Sequence, residues 1–172
     1  MTSTYFSTVK QMNSTLGALE GWLDEATTFA KSKNDFDPNV LLSMRLAPDQ
    51  YALVRQIQAA CDAAKFCAAR TANKDAPTHP DEEKTLDEIR ARVRSVRAYL
   101  GTFVEGDFEG AESRVVPLSF MPGKGMAADD YVRQMATPNF YFHVSMAYAI
   151  LRHTGVNLGK RHFITELALR DL

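Results

Sequence analysis

Pro138–Lys160, PNFYFHVSMAYAILRHTGVNLGK, is the densest apolar stretch of this 172-residue chain, and its reading decides the fold class. Phe142, Met146, Ala149 and His153 recur at four-then-three spacing, which predicts one face of a buried helix, flanked by Tyr141, Tyr148 and Leu151. The end of that helix is well marked. Gly155 follows the basic pair Arg152 and His153, where a left-handed cap and cations facing a helix C-terminus belong. Upstream, Asp129 and Asp130 suit a first turn, and the pattern runs through Tyr131, Val132 and Met135 before it meets Pro138. A proline there removes a backbone donor and crowds the preceding turn, so a kink or a fresh start is expected near Thr137.

Working outward, three more segments carry matching apolar stripes. Tyr5, Val9, Met12, Leu16, Leu19, Leu23, Ala26 and Ala30 alternate four and three residues apart, widened by Trp22 and Phe29. Gly17 and Gly21 weaken this helix locally and suggest close packing. After the polar turn KSKND, Asp37 and Pro38 open a short connector helix that stops before Pro48. A second long helix is expected from about Pro48 to Arg70, with the small residues Cys61, Ala64 and Ala68 beside Val54 and Ile57. It can approach its partners closely or leave room for a ligand. Thr85 and Glu88 form a capping box for the third, which carries Leu86, Ile89, Val93, Val96, Leu100 and Phe103. Gly101 to Met126 reads as a loop with at most one short hairpin at Val115 and Val116, and the segment after Gly155 as a tail adding one short helix. Four striped helices, no internal repeat and no low-complexity linker predict an all-α four-helix bundle forming a single domain over residues 1–172.

Composition removes several function classes. Twenty basic residues against 21 acidic ones leave a net charge of -1, which gives no overall attraction for nucleic acid or an anionic membrane. Phe140 to Leu151 is too short to span a bilayer and is interrupted by His143 and Ser145. The N-terminus lacks a basic and an apolar signal region, and Cys61 and Cys67 are too far apart on one helix to bridge; a cytoplasmic location is expected. Arg90, Arg94 and Arg97 line one stripe of the third helix, but the acids around them favour an ion-paired face over a phosphate grip. Neither PGKG nor the LGK at Gly159 has the strand-to-helix setting of a phosphate loop.

QAACDAAKF at Gln58–Phe66, EKTLDEIRARV at Glu83–Val93 and above all the long motif at Pro138–Lys160 resemble a bacterial and fungal family known as a domain of unknown function. That family lies in the DinB/YfiT-like superfamily of four-helix bundles, and the resemblance covers nearly the whole chain. It implies that fold, a tendency to dimerise, and, in many superfamily members, a metal-dependent activity. The superfamily's metal site takes one histidine from the second long helix and two, four residues apart, from the last. Here the second helix has none, and Asn139 and Ala147 flank His143 at that spacing. His153 lies about 15 Å along the axis from His143, so the two cannot share an ion. No metal or other cofactor is expected.

The chemistry-bearing residues that remain fall on two stripes. Arg55, Asp62 and Lys65 share an edge of the second helix, and Asn139 and His143 stand four apart on the last. If those helices pack together, a buried His143 needs a polar partner on the second, and Asp62 is the expected one. Three readings stay open. The bundle binds a small molecule between the second and last helices, with Arg55, Asp62, Lys65, Asn139 and His143 as candidate contacts; it is an enzyme of unknown reaction built on Asp62, Lys65 and His143; or it is a dimeric interaction or stress-related module. A homodimer through a bundle face is expected from Phe6, Trp22 and Phe29, which exceed one clean stripe. Histidines 79 and 162 are expected to be solvated, and His153 to face the helix end. Circular dichroism should show strong helical bands and one cooperative melt, and a strand-dominated spectrum or two separate transitions would overturn the bundle.

Overall fold

The computed structural model describes residues 3–34 and 36–171; Met1, Thr2, Leu172 and Asp35 of the KSKND turn lie outside them. Long helices α1 (Thr4–Ser32), α2 (Leu53–Ala72) and α3 (Leu86–Gly101) come first. A last helical run follows: α4 (Ala128–Asp130), a π segment (Tyr131–Ala136) and α5 (Thr137–His153), before the short α6 (Lys160–Phe163). The connector is a 3-10 turn at Pro38–Ser43, with the Asp37 carboxylate accepting from the Asn39 N–H. Strands β1 (Val115–Pro117) and β2 (Gly125–Ala127) pair antiparallel, Val116 opposite Met126, in one small hairpin.

The periodicity of α1 is met residue for residue: Tyr5, Val9, Met12, Leu16, Leu19, Leu23, Ala26 and Ala30 are all buried. Thr85 and Glu88 make the expected capping box, and α3 buries Leu86, Ile89, Val93, Val96 and Leu100. α2 begins at Leu53 rather than near Pro48, because Pro48 to Tyr51 form a turn before it. It is the central helix, with Ala60, Cys61, Ala64, Cys67 and Ala68 buried and α1, α3 and α5 all packed around it. Small side chains let three backbones come close to one, which a leucine-lined helix would prevent.

On the last helix the expected face is corrected. Phe140, His143, Val144, Ala147, Ile150 and Leu151 are buried, whereas Phe142 is 53% exposed and His153 is exposed. This helix is apolar almost all round, so spacing alone does not single out one stripe. The disturbance expected at Pro138 takes the form of the π segment immediately before it. The proline has no N–H for the carbonyl four residues back and its ring crowds that turn, and a widened turn accommodates both.

Aromatic side chains seal the bundle ends. Trp22 Nε1–H donates to the His162 carbonyl at 2.8 Å and its ring meets Tyr148 and Phe163, pinning the tail over α1. Phe29 packs on Phe36 and on Gly155, whose φ of +103° suits the glycine and whose missing Cβ leaves room for the ring. Phe6 packs on Phe108. All three rings have neighbours within the chain: Trp22 is buried, while Phe6 and Phe29 are partly covered. Among the described residues no helix is long and apolar enough to cross a membrane.

The two readings of α5 separate by mutation. Phe140→Ala should cost about 3–5 kcal/mol in urea denaturation, and Phe142→Ala should stay within about 0.5 kcal/mol of the parent. The reverse order would restore the face expected from spacing.

Candidate functional site

Gln56 meets His143 and Arg70 meets Tyr131, so α2 and the last helical run are antiparallel. Along one edge their stripes part to form a cleft of about 290 Å³. α2 contributes Arg55, Ala59, Asp62, Ala63, Phe66 and Arg70; the last run contributes Tyr131, Met135, Ala136, Asn139 and His143. Tyr51 closes one end, and Ser119 and Phe120, from the tip of the β1–β2 hairpin, form the rim. The cleft owes its floor to Ala59 and Ala63, where larger residues would fill it. Gly125 keeps the hairpin narrow, since a Cβ there would lie 2.7 Å from the Val115 side chain.

Four of the residues expected from sequence therefore meet: Arg55, Asp62, Asn139 and His143 line one cleft. Lys65 does not join them. One turn on from Asp62, it points away from the cleft and is buried, its Nζ 2.8 Å from Asp62 Oδ1 and donating to His79 Nδ1 at 3.2 Å.

His143 is held by a residue the sequence did not single out. Its Nδ1 lies 2.7 Å from Gln56 Oε1, and Gln56 Nε2 donates to the Tyr51 carbonyl at 3.2 Å. The second bond fixes which way the amide faces, so Oε1 is the atom presented to the ring and Nδ1 must carry the proton. Neutral His143 thus has its lone pair on Nε2, which has no partner among the described residues and is the nitrogen left for the cleft. Burial, then the nearby Arg55, push the imidazole below its ordinary range, so the ring is neutral near pH 7. The expected partner, Asp62, is corrected to Gln56. A buried glutamine on α2 was visible in the sequence, but only the packing could show that it faces α5.

Asp62 is unavailable because cations claim it. Its Oδ1 accepts from Arg92 Nη2 at 2.8 Å as well as from Lys65. Arg92, buried on α3 with its side chain 1% exposed, also reaches Asp81 at 2.9 Å and Glu83 at 3.1 Å, and Gln58 donates to the other oxygen of Glu83. This network ties the loop after α2 to both α2 and α3. His79 lies inside it rather than in solvent: Lys65 occupies Nδ1, so Nε2–H donates to Ser95 Oγ at 2.9 Å. That tautomer is the wrong one for activating a serine, which needs an acceptor nitrogen facing the hydroxyl. Histidine 162 is likewise engaged, accepting the Gly159 N–H at 2.9 Å.

The arginine stripe of α3 is an ion-paired seam, as expected. Arg90 pairs with Asp24 and Asp87, and Arg94 and Arg97 share Glu20. Gly17 makes the seam possible, since a Cβ there would lie 2.9 Å from Arg97 Nη2. A surface groove of about 940 Å³ follows this seam and is larger than the cleft, yet its arginines already have carboxylate partners. The cleft is the stronger site because its polar groups are not all spent. Both cysteines are buried, which pushes their thiols up to about 12 and leaves them inert.

The residues do not fit the metal site of the superfamily. A catalytic ion needs about three converging protein ligands, and the cleft offers one imidazole nitrogen and the Asn139 amide, while Asp62 is held by two cations. Arg55 and Arg70 beside them oppose a cation further.

Comparison with known proteins agrees with this architecture. A profile of the domain of unknown function DUF1993 matches residues 4–164. The chain is also similar to the crystal structure of a DinB family member protein from Shewanella denitrificans, with a TM-score of 0.92 and 40% sequence identity over 98% of this chain and 95% of that one. No protein of curated function matches the sequence.

Two histidines, the buried His143 and the half-buried His79, set a pH dependence. His79 is also lowered, by burial first and then by Lys65 and Arg92, so both rings are neutral in the fold while the unfolded chain gains protons as pH falls through about 6.5. Their contribution is full above about pH 6.5 and is lost as pH falls from there through the lower folded values. Urea midpoints measured from about pH 8 to about pH 5 should therefore fall below pH 6.5, and less steeply in the His79→Gln/His143→Gln double variant. An equal slope in both proteins would refute the assignment.

Proposed function

We propose, from the premise that the chain belongs to the DUF1993 family of DinB-like helical bundles, that it binds a small organic molecule in the cleft between α2 and α5. The observation that carries this reading is the relay from the Tyr51 carbonyl through Gln56 to His143, which spends one ring nitrogen on the protein and leaves the other as an acceptor at the cleft. The free nitrogen stands at an open cavity rather than against packed side chains. The cavity is at the small end of the ~300–1,000 Å³ common for ligand sites, and it pairs an apolar floor with few polar groups, as such sites do. Nε2 would accept from an O–H or N–H of the ligand, with Tyr51, stacked 6.3 Å from the imidazole, against the ligand body.

An enzyme using His143 as a base is the second reading, supported by the same neutral Nε2. It would run without Asp62 as the orienting carboxylate, since Gln56 already holds that role. A cytoplasmic location fits two buried free thiols, and a homodimer face would draw on the part-exposed Phe6 and Phe29 rather than on the buried Trp22.

Phenol, a ring with one O–H donor, is the simplest probe of this end of the cleft. In a titration followed by NMR it should shift the Tyr51 and His143 signals, with a Kd on the order of 1 mM. His143→Gln should keep the fold and weaken binding about tenfold, and His143→Phe should abolish it. Loss of stability in both variants with unchanged phenol shifts would make His143 a packing residue and end this reading.

A further inference from the structure

The charges around the cleft match one another with a single exception. Arg55, Lys65 and Arg92 are paired among Asp62, Asp81 and Glu83. Arg70 has no carboxylate partner among the described residues. Its guanidinium lies 4.9 Å from the Phe66 ring centre and 5.7 Å from that of Tyr131, and one Nη1–H donates to the Tyr131 hydroxyl at 3.2 Å. Two rings and one hydrogen bond fix the plane of the group and leave most of its five N–H donors uncommitted. A solvated surface arginine is not held in this way. Burial keeps Tyr131 a neutral phenol, so it supplies an acceptor without neutralising the charge.

We infer that Arg70 makes its end of the cleft an anion subsite, so that the ligand carries a carboxylate or a phosphate there, attached to an apolar or aromatic body. The inference rests on the cleft reading above and names the ligand class it implies. A planar guanidinium matches both anions bidentately. Ala63, Phe66 and Met135 line the space in front of it for the ligand body, and Phe120, 62% exposed at the hairpin tip, supplies an apolar lip. Asp62, the acid in the same cleft, does not repel the ligand's anion because Lys65 and Arg92 share its charge. Gln56 and Arg70 are separated by about 21 Å of helix rise, so His143 and Arg70 hold opposite ends of the site.

Benzoate and phenyl phosphate, with benzyl alcohol as the neutral counterpart, test this in the full chain. Each is titrated by NMR on the wild type, Arg70→Gln and Arg70→Lys, with thermal melts confirming that the variants fold. Either anion should bind the wild type at least about tenfold more tightly than benzyl alcohol, which is ~1.4 kcal/mol, and should weaken with added salt. Arg70→Gln should bring it to the level of the alcohol, while Arg70→Lys should retain part of the advantage. The better anion identifies carboxylate or phosphate as the native group. Should Arg70→Gln fail to fold, the salt dependence on the wild type decides, since anion binding indifferent to salt overturns the inference. Equal binding by benzyl alcohol, or undiminished anion binding by folded Arg70→Gln, also overturns it. Phenol titrated in the same samples separates the two readings: phenol bound without the anions removes the Arg70 subsite alone, and no binding by any probe removes the cleft with it.

Discussion

Everything in this bundle depends on how closely other helices can approach α2. Its buried faces are built from Ala60, Cys61, Ala64, Cys67 and Ala68, so α1, α3 and α5 can surround one helix without the spacing that larger side chains would force. The same economy produces the cleft. Where Ala59 and Ala63 reach the edge of α2, their side chains are too short to close the gap to the last helix. A central helix of this composition therefore supplies both close packing and a cleft with uncommitted polar groups.

The buried charges divide the work between scaffold and site. Arg92 sits almost fully out of water, and removing it would take the shared cation from carboxylates on α2 and in the loop, a loss moderated by the water that reaches Asp62 and Asp81. By taking up Asp62, Arg92 and Lys65 also prevent a carboxylate from pairing with His143. A carboxylate partner would have raised the imidazole toward its charged form, whereas a neutral amide leaves burial and Arg55 to keep it uncharged. The scaffold network thus determines the protonation state at the site.

Membership of a DinB-like family does not by itself carry the superfamily's metal chemistry to this chain. Between α2 and the last helix this chain places one imidazole, an amide and arginines, not the three histidines that the resemblance to the superfamily implies for a metal site. A cleft of that composition lacks the converging donors that a cation needs. The π segment contributes to its shape, because the widened turn before Pro138 is where Tyr131, Met135 and Ala136 enter the lining.

What the sequence determined was whatever rests on local pattern. The α1 stripe, the capping box at Thr85 and Glu88, the Asp37–Pro38 start, the hairpin at Val115 and Val116 and the disturbance at Pro138 each depend on neighbours a few residues apart, and each was legible. That Arg55, Asp62, Asn139 and His143 would share one cleft if α2 and the last helix pack together was legible too, since polar residues on otherwise small or apolar faces stand out. Tertiary structure alone decided three things. It chose the Phe140 face of α5 over the Phe142 face, because an all-round apolar helix has no preferred stripe until its neighbours cover one. It gave His143 to Gln56, because Arg92 from a third helix had already claimed Asp62. And it left Arg70 without a countercharge among the described residues, a property of everything within a few ångströms of the guanidinium, which no spacing along the chain records.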